Sequence, residues 1–149
     1  MKQDKIIIEM DDRESECQLM ADVGSLNIVF DRKRLKVGDF IYGDLIMERK
    51  TVDDFCSSIL DGRLKRQAEN MKATGKMSYI FIIGDFKKRD VGIHDNCIKG
   101  KIISLLIKYD IKLVYCEDEM EFLWMMDNLC RKYKELYSKE LKGGVINGK

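Results

Sequence analysis

Residues 78–83 read Ser-Tyr-Ile-Phe-Ile-Ile, the most apolar strand-length run of the chain. The run is far too short for a membrane span, which needs about 20 apolar residues. Bulky apolar side chains on both parities predict a strand covered on both faces, central in its sheet. The chain around it alternates. A helix is expected over 95–108, a strand over 112–116 and a long helix over 117–138. Strand and helix in alternation imply an α/β domain, a central mixed or parallel sheet flanked by helices.

The first half supplies the remaining elements. Three consecutive isoleucines mark a strand over 5–10. A short helix over 14–23 turns Leu19 and Met20 inward and stops at Gly24. A strand covers 26–30, and strands over 37–42 and 45–48 form a hairpin around Gly43-Asp44. Thr51 is a good N-cap, and Asp53 and Asp54 suit the first turn behind it. Val52, Phe55, Cys56 and Ile59 give that helix one apolar face. Past Asp61-Gly62 a second helix runs over 63–73. No repeat or linker interrupts the pattern, so residues 1–149 form a single domain, with its core over 5–138 and a flexible tail over 143–149.

Charge is abundant but balanced. Charged residues make up 36% of the chain, yet the formal net charge is only +1. A nucleic-acid partner therefore cannot be argued from total charge, only from where Lys and Arg sit. Basic stretches at Arg32-Lys33-Arg34, Lys87-Lys88-Arg89 and Lys99 with Lys101 are candidates for phosphate contact, although such stretches more often form solvated faces. The five cysteines have no zinc spacing and read as reduced core thiols of an intracellular protein, cytoplasmic or nuclear. His94, the only histidine, precedes a helix start and reads as a cap.

The chemically pointed segment is 38–50. It carries Asp39 on one hairpin strand and Glu48-Arg49-Lys50 on the next. Glu48 and Lys50 are two apart in a strand, so they share a face. Paired carboxylates offer the hard oxygens that Mg²⁺ prefers, and a lysine beside them could orient water or offset charge on a phosphate. The order Asp-(eight residues)-Glu-x-Lys has the shape of the metal site of restriction-enzyme-like nucleases. Asp44, four residues before Glu48, competes with Asp39 for the ligand role, and Asp12 competes with Asp11.

Three strings accompany this segment in order. Asp11-Asp12-Arg13-Glu14 follows the first strand, Gly38-Asp39 leads to Glu48-Arg49-Lys50 and Asp54, and Gly62-Arg63-Leu64 precedes Gln67. Together they resemble the nuclease domain of the XPF family of structure-selective endonucleases, which carries D-x-R-E, G-D-(n)-E-R-K-x-x-x-D and G-R-L-x-x-Q. The resemblance covers residues 5–138. It implies a restriction-endonuclease-like fold and a metal held by Asp39 and Glu48, with Asp11 close by as a further acidic group of the metal and catalytic site. The metal would be Mg²⁺, with Mn²⁺ able to substitute. It further implies Lys50 as catalytic lysine, Arg49 and Asp54 as support, and Arg13, Arg63 and Gln67 as residues that face DNA or buttress the loop. The substrate would be branched or flap DNA in repair or recombination, and the assembly a homodimer or heterodimer without a membrane.

The chain also departs from the pattern. Phe40 stands where tyrosine is common, and Ile98-Lys99-Gly100 where I-R-G is frequent. No tandem helix-hairpin-helix module follows and no helicase domain precedes within these residues. The expectation is an excised catalytic domain or a compact member that relies on a partner. Two other readings stand beside the enzyme: a binding or scaffold subunit paired with an active nuclease, and an unrelated α/β domain. The strip Phe122-Leu123-Trp124-Met125-Met126 is expected to pack in the core or against a twin subunit, and the acidic run 117–121 to face away from DNA.

Overall fold

A computed structural model of the chain describes residues 4–14 and 17–143, with side chains through residue 137. The elements are β1 (Ile6–Asp11), α1 (Cys17–Val23), β2 (Ile28–Lys33), β3 (Phe40–Tyr42) and β4 (Leu45–Thr51). They continue as α2 (Val52–Leu60), α3 (Arg63–Ala73), β5 (Met77–Ile83), α4 (Asp95–Lys108), β6 (Ile111–Cys116) and α5 (Glu119–Gly143). A single 3-10 turn, Phe86–Lys88, lies between β5 and α4.

The six strands form one sheet in the order β2-β1-β3-β4-β5-β6. β1 runs parallel to β2, and β4, β5 and β6 run parallel to one another. Only β3 is antiparallel to its neighbours, β1 and β4. Five strands therefore end at one edge of the sheet, and the reversed strand begins there. The apolar run in β5 is interior, as its composition requires, but it lies one strand from the edge rather than at the centre. Edge strand β6 is less buried and leaves Tyr115 51% exposed.

Each face of the sheet has its own core. Alternation in β5 sends Phe81 and Ile83 to one side and Ile80 and Ile82 to the other. On the first side α1 and α5 close over Phe40, Phe81 and Phe122, whose rings meet at 5.7 Å (Phe40–Phe122) and 5.2 Å (Phe81–Phe122). On the second side α2, α3 and α4 bury Phe55, Leu64 and Leu105. Phe122, Leu123 and Met126 are fully buried, so most of the expected apolar strip belongs to the core, and Trp124 alone of its large side chains is strongly exposed at 55%. Four of the five cysteines are buried, while Cys97 lies exposed on α4.

The caps fall where the sequence puts them. Thr51 accepts the Asp54 N–H at 3.1 Å, and His94 Nδ1 accepts the Asn96 N–H at 3.1 Å. α1 is described from Cys17, and residue 14 lies outside it, its N–H donating to the Asp11 carbonyl. The last helix reaches Gly143, and the rest of the tail expected to be flexible, residues 144–149, lies outside the described residues. No helix among the described residues is long and apolar enough to cross a membrane.

Candidate active site

The hairpin expected around Gly43-Asp44 forms, with Phe40 opposite Met47 and Tyr42 opposite Leu45. β3 is shorter than expected because the chain turns sharply at Gly38, whose φ is +80°. A Cβ there would also lie 2.7 Å from Ile46 Cγ1, so only glycine fits. The next residue, Asp39, is stitched to two strands at once. Its carbonyl accepts the Asp11 N–H at 2.8 Å, and its N–H donates to the Met47 carbonyl at 2.9 Å. Asp39 thus reaches the edge where β1 and β4 end, beside Asp11 and Glu48.

Along β4 the side chains alternate. Leu45 and Met47 enter the α5-side core and Ile46 the α3-side core. By the same parity Glu48 and Lys50 share the α3 side, and both are buried, at 7% and 6% exposure. Arg49 points the other way and forms a two-pronged ion pair with Glu119 at the start of α5, its Nε donating to Oε2 at 2.9 Å. Its backbone N–H still serves the site, donating to Asp39 Oδ2 at 2.8 Å.

A cavity of about 310 Å³ opens over these acids, lined among others by Asp11, Glu14, Lys36, Asp39, Glu48 and Gln67. Burial, and then the neighbouring Glu48, push the Asp39 carboxyl up to about 8. Burial also raises Glu48, while a hydrogen bond from Asp39 and the Lys50 cation hold it back. The two carboxyls act on each other and titrate as a pair. Glu14 joins them: burial, and then Asp39, raise it to about 7. Asp11 is different. Arg13 donates to it from Nε at 2.6 Å and from Nη2 at 3.1 Å, and the Leu35 N–H donates at 2.9 Å. These bonds, the one from Arg13 first, hold it down to about 2 despite its burial.

The donor set fits a hard divalent cation. Glu48 Oε2 is buried and has no hydrogen-bond partner, which is costly unless something accepts its charge. Asp39 beside it repels it unless protonated or bridged. Among the described residues no three His, Cys, Asp or Glu side chains stand in metal-holding geometry. The fit is therefore to the Asp39–Glu48 pair, which suffices for Mg²⁺ with water and substrate oxygens.

The remaining expected site residues fall apart. Gln67 lines the cavity, with its Oε1 buried and unpartnered. Arg63 shares its helix but turns to Asp61, at 2.8 Å. Arg13 is tied to Asp11 and to the Leu35 carbonyl. Asp54 is exposed on the first turn of α2, outside the cavity lining. Asp44 sits in the hairpin turn, about 13 Å along the strand from Glu48, and Asp12 pairs with Arg34 at 2.7 Å. Arg32 donates to the Asp12 and Glu14 carbonyls, so the 32–34 stretch braces the loop. Glu14 and Lys36 were not singled out as site residues by sequence. Glu14 ends the string Asp11-Asp12-Arg13-Glu14, but its role depends on burial that a string does not display.

A mixed six-stranded sheet, helices on both faces and acids gathered at the strand ends define the restriction-endonuclease-like α/β architecture. The ERCC4 domain model matches residues 10–129, and the chain belongs to that family. The resemblance to XPF nuclease domains read from the three strings is thereby borne out. Among curated relatives, MJ1505 of Methanocaldococcus jannaschii, which carries the name of an ATP-dependent RNA helicase, is 32% identical over 101 residues, 67% of this chain and 12% of that protein. The 3'-flap repair endonuclease Xpf of Saccharolobus solfataricus is 26% identical over 131 residues, 87% of this chain and 56% of that protein. The solved structure of XPF from Aeropyrum pernix superposes with a TM-score of 0.77 at 26% identity, covering 86% of this chain and 61% of that one. The chain thus spans 56% or less of the two curated relatives.

Proposed function

We propose that this chain is the catalytic domain of a metal-dependent DNA endonuclease that hydrolyses phosphodiester bonds in branched or flap DNA. The observation that carries the reading is the buried Asp39–Glu48 pair lining one cavity, with Lys50 buried beside it on the same face of β4. The flap-repair name of the Saccharolobus relative supports the substrate class. Asp39 and Glu48 would hold Mg²⁺ or Mn²⁺, with Asp11 behind them. The metal, when bound, lowers the pKa of water and offsets charge on the scissile phosphate. The chain's own residues supply the rest. Lys50 orients the attacking water or offsets negative charge, and the Arg49 N–H fixes the Asp39 carboxylate. Gln67 meets the DNA from the cavity wall and Arg63 from the exposed start of α3, where it pairs with Asp61 in the free chain. Arg13 and Asp54 support the loop and helix around the acids, and Lys36 adds a cation at the cavity rim.

Incubation of the chain with 3' flap and splayed-arm DNA in Mg²⁺ tests the reading. Wild type should cut and Glu48→Gln should not; equal cutting by both sinks the assignment. Pairing with a second subunit belongs to the same proposal. The apolar surface for it is α4, where Ile103, Leu106 and Ile107 are 54%, 42% and 80% exposed. Light scattering that finds a monomer at high concentration removes that part.

One observation favours a scaffold subunit instead. Arg13 saturates Asp11, leaving two carboxylates rather than three for a cation. Tight DNA binding with no heat of Mg²⁺ or Mn²⁺ binding in calorimetry would decide for it.

A further inference from the structure

We infer that Glu119 is a positioning residue for the acid cluster: it holds Arg49 away from Glu14 and Asp39, and so keeps those carboxylates available to a cation. The inference rests on the metal-site reading above.

What an arginine does to an acid in this site is visible at Asp11. Arg13 grips it with two donors and holds it to about 2, which leaves it little capacity to bind anything else. Arg49 is a second arginine beside the same cluster, joined to it by the N–H that bonds Asp39 Oδ2 at 2.8 Å. Its cation acts on Glu14 and on Cys17 across space, although its side chain lies on the α5 face of β4. Released, it would be free to swing round the strand end toward Glu14 and Asp39, two carboxylates pressed together with only Lys50 as a cation acting on Asp39. Two prongs of Glu119 occupy it instead. Glu119 suits that task, since it lies in the first turn of α5, where the helix end favours a fixed negative charge.

A purely structural tie explains less. α5 is already anchored to the sheet by Phe122, Leu123, Met126 and Cys130, all fully buried. The Arg49–Glu119 pair is 23% and 34% exposed, so solvent screens it in part and its contribution to stability is smaller than that of these buried anchors. The pair does sit one residue from Glu48 and one from Lys50, on the residue whose N–H bonds Asp39. Its geometry therefore bears on the site more than on the fold. The acidic run at the start of α5, expected only to face away from DNA, has this inward-turned member.

A double-mutant cycle reads the effect on the full chain. Mn²⁺ affinity is measured by the electron paramagnetic resonance of free Mn²⁺ for wild type, Glu119→Gln, Arg49→Met and the double variant, with Tm recorded for each. Glu119→Gln should weaken Mn²⁺ binding by roughly five-fold while Tm barely moves, and in the Arg49→Met background it should change affinity little. Equal weakening in both backgrounds means that Glu119 acts by its charge alone and overturns the inference, as does unchanged affinity in the single variant. Arg49→Gln replaces Arg49→Met if the latter fails to fold. The Arg49 Nε–Hε resonance gives a readout free of metal. It should be protected in wild type, shift in Glu119→Gln, and shift again when Glu14→Gln is added. If wild type binds no Mn²⁺, the endonuclease reading falls, and this resonance alone decides whether Glu119 holds Arg49 away from Glu14.

Discussion

Asp11 and Asp39 are neighbours joined through their backbones, and they are electrostatic opposites. The Asp11 N–H donates to the Asp39 carbonyl at 2.8 Å, and both carboxyls face one cavity. Asp11 is held down to about 2 by Arg13 and the Leu35 N–H, whereas Asp39 is pushed up to about 8 by burial and Glu48. The residue type is the same, so the partners make the difference. An aspartate with two good donors is a structural anion. An aspartate facing another carboxylate is strained unless a proton or a cation sits between them. The second kind is the one that can do metal chemistry.

The sharpest way to break this contrast is Asp39→Asn. It should abolish Mn²⁺ binding and DNA cleavage together, as scored by calorimetry and by a flap-cutting assay. Retained metal binding would mean that Asp39 is not a ligand. Lys50→Ala probes the same face and should slow cleavage by about 10²–10⁴-fold, with Mn²⁺ affinity largely kept.

The second test uses pH. The folded pKa of Asp39 lies above its ordinary value, so its contribution to stability is fully present below about 4 and is lost as pH rises through about 8. Glu14, raised to about 7, adds to the same trend. The metal-free protein should therefore lose Tm between pH 5 and 8, and Mn²⁺ affinity should rise over the same interval. Asp39→Asn should raise the metal-free Tm at pH 8 by at least about 3 °C. A flat Tm profile in wild type counts against the strained pair.

Asp11→Asn is the counterpart. It leaves Arg13 with a weaker acceptor, and it should cost about 1–3 kcal/mol by denaturant unfolding. Because the folded pKa of Asp11 is depressed, its contribution is present above about 4 and lost as pH falls through about 2. Mn²⁺ affinity should change only a few-fold; complete loss would promote Asp11 to a ligand. Smallest of all should be Asp44→Asn at the exposed hairpin turn, with cleavage and Tm unchanged within error. A large effect there would reopen the choice between the two Gly-Asp pairs.

Much of this was legible in the chain before folding. Gly43-Asp44 announced the hairpin, and the spacing of Glu48 and Lys50 placed both on one face. The same parity puts Arg49 on the opposite face, although the string Glu-Arg-Lys suggests three partners in one site. The inner face of α5 was legible too: Phe122, Leu123, Met126 and Cys130 recur at helical spacing, yet a run of apolar letters reads as a patch. Glu14 was harder. Its environment comes from Asp39 and Arg49, which are distant in sequence, and from desolvation that no local pattern records. The partnering of Asp11 with the Leu35 N–H is likewise a long-range bond.

The hairpin register has a consequence for how such a chain can change over generations. Side chains in β4 alternate faces with period two, and Asp39 is bonded to Met47 one step before Glu48. A single residue gained in the Gly43-Asp44 turn and absorbed by β4 would carry Glu48 and Lys50 to the α5 face and bring Arg49 into the cavity. Two residues gained there would restore the faces. Length drift that the turn itself takes up should therefore be harmless, whereas a single residue drawn into β4 should silence the site and press two charges into an apolar core.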